Sequence, residues 1–112
     1  MEKLKKYETA IIAFMEDYAA GFSKQADRVE TQIMLDKERH HYQLSRIGWR
    51  GNHFTHLCLF HFDIKNGKIW VQKNETEELV GDELIKRGVP KTDIVFGFQP
   101  ESARSHMGFA TA

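Results

Sequence analysis

The chain has 112 residues, enough for one domain that buries roughly two thirds of the surface its unfolded form would expose. Sixteen Lys and Arg balance sixteen Asp and Glu, so net charge gives no footprint for nucleic acid or an anionic membrane, and any DNA contact has to be local or borrowed from a partner. One cysteine excludes an internal disulfide and a multi-cysteine zinc module, as suits a reducing cytoplasm.

From the N-terminus, Leu4, Tyr7, Ile11, Phe14, Met15, Tyr18 and Phe22 recur at spacings of three and four, which predicts an amphipathic helix with one buried face. Glu8, Glu16 and Asp17 interrupt its apolar content, so it is expected to be neither a signal-peptide core nor a membrane span, and the sequence reads as cytoplasmic. A polar loop, SKQADR, leads into VETQIMLD, where Val29, Thr31, Ile33 and Leu35 alternate with polar or flexible residues as in a half-buried strand. KERH turns the chain into HYQLSRIGW, with Tyr42 and Leu44 on one face and Gln43, Ser45 and Ile47 on the other. Gly48, Gly51 and Asn52 mark a turn or bulge near Trp49.

HFTHLCLFHFDIK then forms a third strand, and Asn66-Gly67, a pair that tolerates positive φ at both centres of a two-residue turn, folds KIWVQ back on it. Asn74 followed by Glu77 has the spacing of a capping box, with Leu79 to Ile85 as a helix stopped by Gly88 and Pro90. Glu75, Glu77 and Glu78 would sit at the N-terminal end of that helix, where its dipole favours them and a basic partner could dock. Asp93 to Phe98 gives a short apolar strand, and the mixed tail ends as a candidate edge strand. The expected architecture is a single α+β domain over residues 1–112: an antiparallel meander of about four to six strands, an N-terminal helix and a second helix after the central hairpin.

The third strand carries the candidate chemistry, because His53, His56 and His61 surround Cys58 and are followed by Asp63 and Lys65. A metal site needs three or four ligands converging at about 2.0 to 2.3 Å. Strict alternation puts Phe54, His56, Cys58, Phe60, Phe62 and Ile64 on one face, and His53, Thr55, Leu57, Leu59, His61 and Asp63 on the other. His53 and His61 then share a face about 27 Å apart and cannot hold one ion. Only His56 with Cys58, or His61 with Asp63, are neighbours, and each pair needs further ligands from elsewhere. His40 and His41 diverge in the same way if they lie in a strand. Cys58, between leucines on a phenylalanine face, is expected to be a small buried hydrophobe. Asp63-Ile64-Lys65 invites comparison with metal-dependent nucleases, yet it also reads as ordinary turn-flanking sequence. No catalytic, cofactor or metal residues are therefore assigned.

For nucleic acid the best local feature is Lys37, Arg39, Arg46 and Arg50, with Trp49 able to stack on a base. A solvated, charge-protected strand edge explains the same residues. The aromatic content exceeds what a small core needs and suggests a subunit interface, including a homo-oligomeric one, although ordinary sheet packing accounts for most of the rings.

HYQL followed by GW, then CLFHFDIKNGKIWVQKNETEE, DELIKRGVPKTDIVFGF and a terminal GFATA, resembles the XisI family of cyanobacterial fdxN element excision controlling factors along essentially the whole chain. His61, Asp63, Ile64, Lys65, Gly67, Lys68, Ile69 and Trp70 stand where that family has H.DIK.GKIW, and Gly88, Val89 and Pro90 match its GVP. Where the family often has an arginine after the GW turn, this chain has His53 and Phe54. The resemblance implies a cytoplasmic, non-enzymatic accessory in programmed DNA rearrangement, with a XisH-like companion and a XisF-type recombinase as partners. It brings no catalytic residues. Arg39, Arg46, Trp49, Arg50, His61 and Asp63 are the residues expected to meet a partner or DNA.

Overall fold

The computed structural model describes residues 2–22 and 28–112; the SKQADR loop falls almost wholly outside them. Its elements are α1 (Glu2–Ala20), β1 (Arg28–Asp36), β2 (His41–Arg50), β3 (His53–Lys65), β4 (Lys68–Asn74), α2 (Val80–Lys86), a single 3-10 turn (Lys91–Asp93), β5 (Ile94–Phe96) and α3 (Glu101–Arg104). The strands form one sheet in chain order β1-β2-β3-β4-β5. It is antiparallel throughout except for β5, which runs parallel to β4, so the fold is α+β with a five-stranded mixed sheet. The expected edge strand in the tail reduces to one bridge, between Val95 and Ala110.

Helix α1 lies across one face, called the inner face below. Its apolar stripe of Tyr7, Ala10, Ile11, Phe14 and Met15 is buried against Tyr42, Leu44, Phe60 and Phe62. Each large aliphatic or phenylalanine side chain among them contributes roughly 1.5–3 kcal/mol by leaving water. Phe14 meets Phe60 and Phe62 edge to face at 5.1 and 6.1 Å. Val80 and Leu84 of α2, with Ile69, Val71, Ile94 and Phe96, extend the same core. Polar groups at its rim are paired: Tyr7 donates to Asp93, Tyr42 Oη to Glu8 at 2.7 Å, and Arg87 bridges Asp17 and Glu83 at 2.7 and 2.9 Å. No helix among the described residues is long and apolar enough to cross a membrane.

Asn66 and Gly67 both adopt positive φ, 54° and 74°, as a two-residue hairpin turn between β3 and β4 requires. Two other local expectations need correction. Asn74 does not cap a helix. Its Oδ1 accepts from the Thr76 amide and hydroxyl, its Nδ2 donates to the Glu78 carbonyl, and α2 begins only at Val80 without a side-chain cap. Asn74 thus closes a tight loop, and Glu75, Glu77 and Glu78 belong to that loop rather than to a helix end.

The second correction concerns β3. Leu44 pairs with Phe60 but Ser45 pairs with Cys58, which leaves Leu59 as an extra residue in a β-bulge. Beyond it the faces exchange. Phe60, Phe62 and Ile64 share the inner face with Leu59, Leu57, Thr55 and His53, whereas Cys58, His56 and Phe54 share the outer face with His61 and Asp63. Cys58 is therefore a half-buried residue of the outer face, donating to the Phe60 carbonyl at 3.2 Å, and not part of the phenylalanine core.

Candidate functional site

The outer face of β2, β3 and β4 gathers the polar groups. His41 on β2 stands directly opposite Asp63 on β3, and His61 precedes Asp63 by two residues, so all three side chains rise from the same patch. His41 Nδ1 and His61 Nε2 both donate to Asp63 Oδ1, at 2.7 and 2.8 Å. The other oxygen, Oδ2, accepts from Gln72 Nε2 at 3.1 Å. Burial pushes the Asp63 carboxyl up, but the hydrogen bonds from His41, His61 and Gln72 outweigh it and hold the group below the ordinary aspartate value.

Gln72 stands on β4 beside a second bulge. It shares the outer face with Trp70 by alternation; His61 pairs with Lys73 and Phe62 with Val71, so Gln72 is the extra residue of β4 and Lys73 joins it on that face. Gly97 lies against Gln72. A Cβ there would stand 2.3 Å from Gln72 Oε1 and 3.0 Å from the Trp70 ring, so a larger residue would displace the amide from this position. Trp70, opposite Asp63, carries Lys65 Nζ at 4.1 Å and the Arg104 guanidinium at 5.4 Å from its ring centre.

His41, His61 and Asp63 form one group among the described residues whose ligand-type atoms all lie within 4.8 Å of one another. His61 and Asp63 were legible in the sequence as neighbours; His41 and Gln72 were not. Counting back from the Gly51–Asn52 turn sets His41 opposite Phe62, and only the bulge at Leu59 shifts it onto Asp63. His40 does diverge from His41: it has positive φ, 63°, and its Nδ1 lies 3.4 Å from Tyr42 Oη.

The arginines do not converge. Arg39 lies in the β1–β2 turn beside Asp36, at 3.5 Å. Arg46 is buried on the inner face, its guanidinium 3.9 Å from the Phe22 ring centre and donating to Thr31 Oγ1 at 2.6 Å. Arg50 is at the far end of β2, pointing inward, while Trp49 points outward and meets Phe54 at 5.1 Å between centroids. His56 adds a third ring, 6.5 Å from Phe54. The result is an exposed aromatic row on the outer face of the β2–β3 hairpin, about one hairpin length from the His–Asp–His patch.

Solved structures with this architecture exist. A XisI-like protein from Anabaena variabilis ATCC 29413 is 40% identical, with a TM-score of 0.88 over 97% of this chain and 99% of its own. The fdxN element excision controlling factor XisI from the same organism is 31% identical, with a TM-score of 0.83 over 98% and 99%. No curated protein matches the chain. Residues 1–111 match the model of the XisI protein family, and the chain belongs to that family.

Proposed function

We propose that the chain is a non-enzymatic control factor for programmed, site-specific DNA excision of the fdxN-element type, acting in the cytoplasm by protein contact. The full-length likeness to a structure described as an excision controlling factor carries this reading. Its partners are a XisH-like companion and, through it or directly, a XisF-type recombinase. The surface best suited to contact is the outer hairpin, where Trp49 is 54% and Phe54 46% exposed; large rigid aromatics of this kind dominate binding energy when a partner covers them. Direct DNA binding by Arg39, Arg46 and Arg50 is disfavoured, because Arg46 is buried, Arg39 lies in the turn before β2 and Arg50 at its far end.

Co-expression of the untagged chain with a tagged XisH-like protein from the same genome tests the reading. A stoichiometric complex that survives size-exclusion chromatography is the expected result. Recovery of the chain alone, or of a homo-oligomer indifferent to the companion, would overturn it. Binding to labelled duplex that weakens steeply between low and moderate salt would point instead to DNA as the partner.

A further inference from the structure

We propose that His41, His61 and Asp63 form a binding site for a first-row divalent cation of the zinc class on the outer face of the sheet. This goes beyond the protein-contact reading and does not depend on it. Two imidazole nitrogens and one carboxylate oxygen are a donor set that borderline divalent ions take, and three protein ligands leave further positions open. Here the ligand atoms already lie within 4.8 Å of one another. Around an ion bound at about 2.0 to 2.1 Å, tetrahedral ligand atoms stand about 3.3 Å apart. The His41 and His61 nitrogens sit 2.7 and 2.8 Å from Asp63 Oδ1, so entry of an ion needs each to part from it by about half an ångström and to present a lone pair in place of its N–H. His41, whose side chain is 51% exposed, is free to make that adjustment.

Three further features distinguish the site from a chance cluster. All three ligands come from paired strands, so the register fixes their spacing more closely than loops would. The carboxylate is oriented from behind: Gln72 donates to Oδ2, the oxygen that does not face the histidines, as groups supporting a metal ligand do. Gln72 in turn shares the face of Trp70 and has the glycine at position 97 against its amide. Lys73, opposite His61, is 3.8 Å from Glu75, which draws its charge away from the patch. The patch is open to solvent at His41, so water or a side chain of a bound partner would complete the shell.

The test is titration of the untagged chain, stripped with EDTA and dialysed, with zinc chloride in a calorimeter, checked by equilibrium dialysis. One zinc per chain is expected. His41→Ala and Asp63→Asn should each weaken binding at least tenfold, while His56→Ala, on the same face but outside the triad, should leave it unchanged. Cobalt(II) in place of zinc should give a visible d–d band that disappears in His61→Ala. His41 is exposed, so its replacement keeps the fold, and circular dichroism verifies that each variant is folded. Absence of saturable zinc binding, or binding equally strong in folded His41→Ala and Asp63→Asn, would overturn the site.

Discussion

On the inner face of the sheet, Phe14 meets Phe60 edge to face with centroids 5.1 Å apart; on the outer face Trp49 and Phe54 form a pair at the same separation. The chemistry is alike and the setting is not. Phe14 and Phe60 are sealed between α1 and β3, whereas roughly half of each outer ring faces water. The polar groups divide in the same way. Asp93, at the inner rim, accepts from Tyr7 and pairs with Lys3 at 3.0 Å, fastening α1 to the turn before β5. Asp63, on the outer face, accepts from His61 of its own strand and from His41 and Gln72 of the neighbouring strands, and fastens no helix. The inner face holds helix to sheet, and the outer face joins only strands and leaves large side chains exposed.

The largest effect should come from Phe60→Ala, which removes a fully buried ring and should cost about 3–5 kcal/mol in urea unfolding. A loss below about 1 kcal/mol would mean that α1 is not seated on the sheet as described. Asp93→Ala comes next. It leaves the Tyr7 hydroxyl, on a residue only 3% exposed, without its acceptor, and should cost about 1–3 kcal/mol. Asp63→Asn on the outer face should cost about 1 kcal/mol at neutral pH, because its partners remain near water.

Acid separates the two aspartates further. Both carboxyls are held below the ordinary value: burial raises each, and hydrogen bonds overcome it, from His41, His61 and Gln72 at Asp63 and from Tyr7 and Lys3 at Asp93. A carboxyl depressed in the folded state contributes stability that is complete above its unfolded value, about 3.9, and is lost as pH falls through the folded one. Stability of the native chain should therefore decline as pH drops below about 4. Asp63→Asn should flatten part of that decline, seen as a smaller difference in urea midpoint between pH 6 and pH 3. An unchanged pH dependence in the variant would show that the patch does not hold the carboxylate.

How far these faces could be read beforehand differs sharply between elements. The spacing of Tyr7, Ile11, Phe14 and Met15 marked the buried helix stripe, and Asn66-Gly67 marked its hairpin, because both signals are local. The arrangement of β3 was not legible. Alternation is reliable only while pairing is regular, and one inserted residue, Leu59, sends every residue before it to the opposite face. His53 therefore leaves the company of His61, Cys58 leaves the core, and His41 arrives beside Asp63. Leu59 itself looks like any strand leucine. The partner it meets is distant in sequence: the Leu59 carbonyl accepts from the Glu75 amide at 2.9 Å, across 16 residues of chain. Gln72 follows Trp70 by alternation, and only the diagonal reach of its amide to Asp63 Oδ2 was hidden. Asn74 misled differently, since its side chain found loop partners nearer than a helix end.

The smallest expected change in stability belongs to the outer aromatic pair, and it carries the comparison furthest. Trp49→Ala and Phe54→Ala each remove a ring that is about half exposed, so each should shift unfolding by no more than about 0.5 kcal/mol. If a partner covers these rings, the same substitutions remove a large anchor from a desolvated interface, and retention of the companion in co-purification should fall at least tenfold. The Phe60→Ala variant should show the opposite pattern, losing stability first and binding only in proportion to the unfolded fraction. A drop of more than about 2 kcal/mol in the outer variants would make that pair part of the core energetics. Unimpaired companion binding by folded Trp49→Ala and Phe54→Ala chains would move the contact surface elsewhere on the sheet.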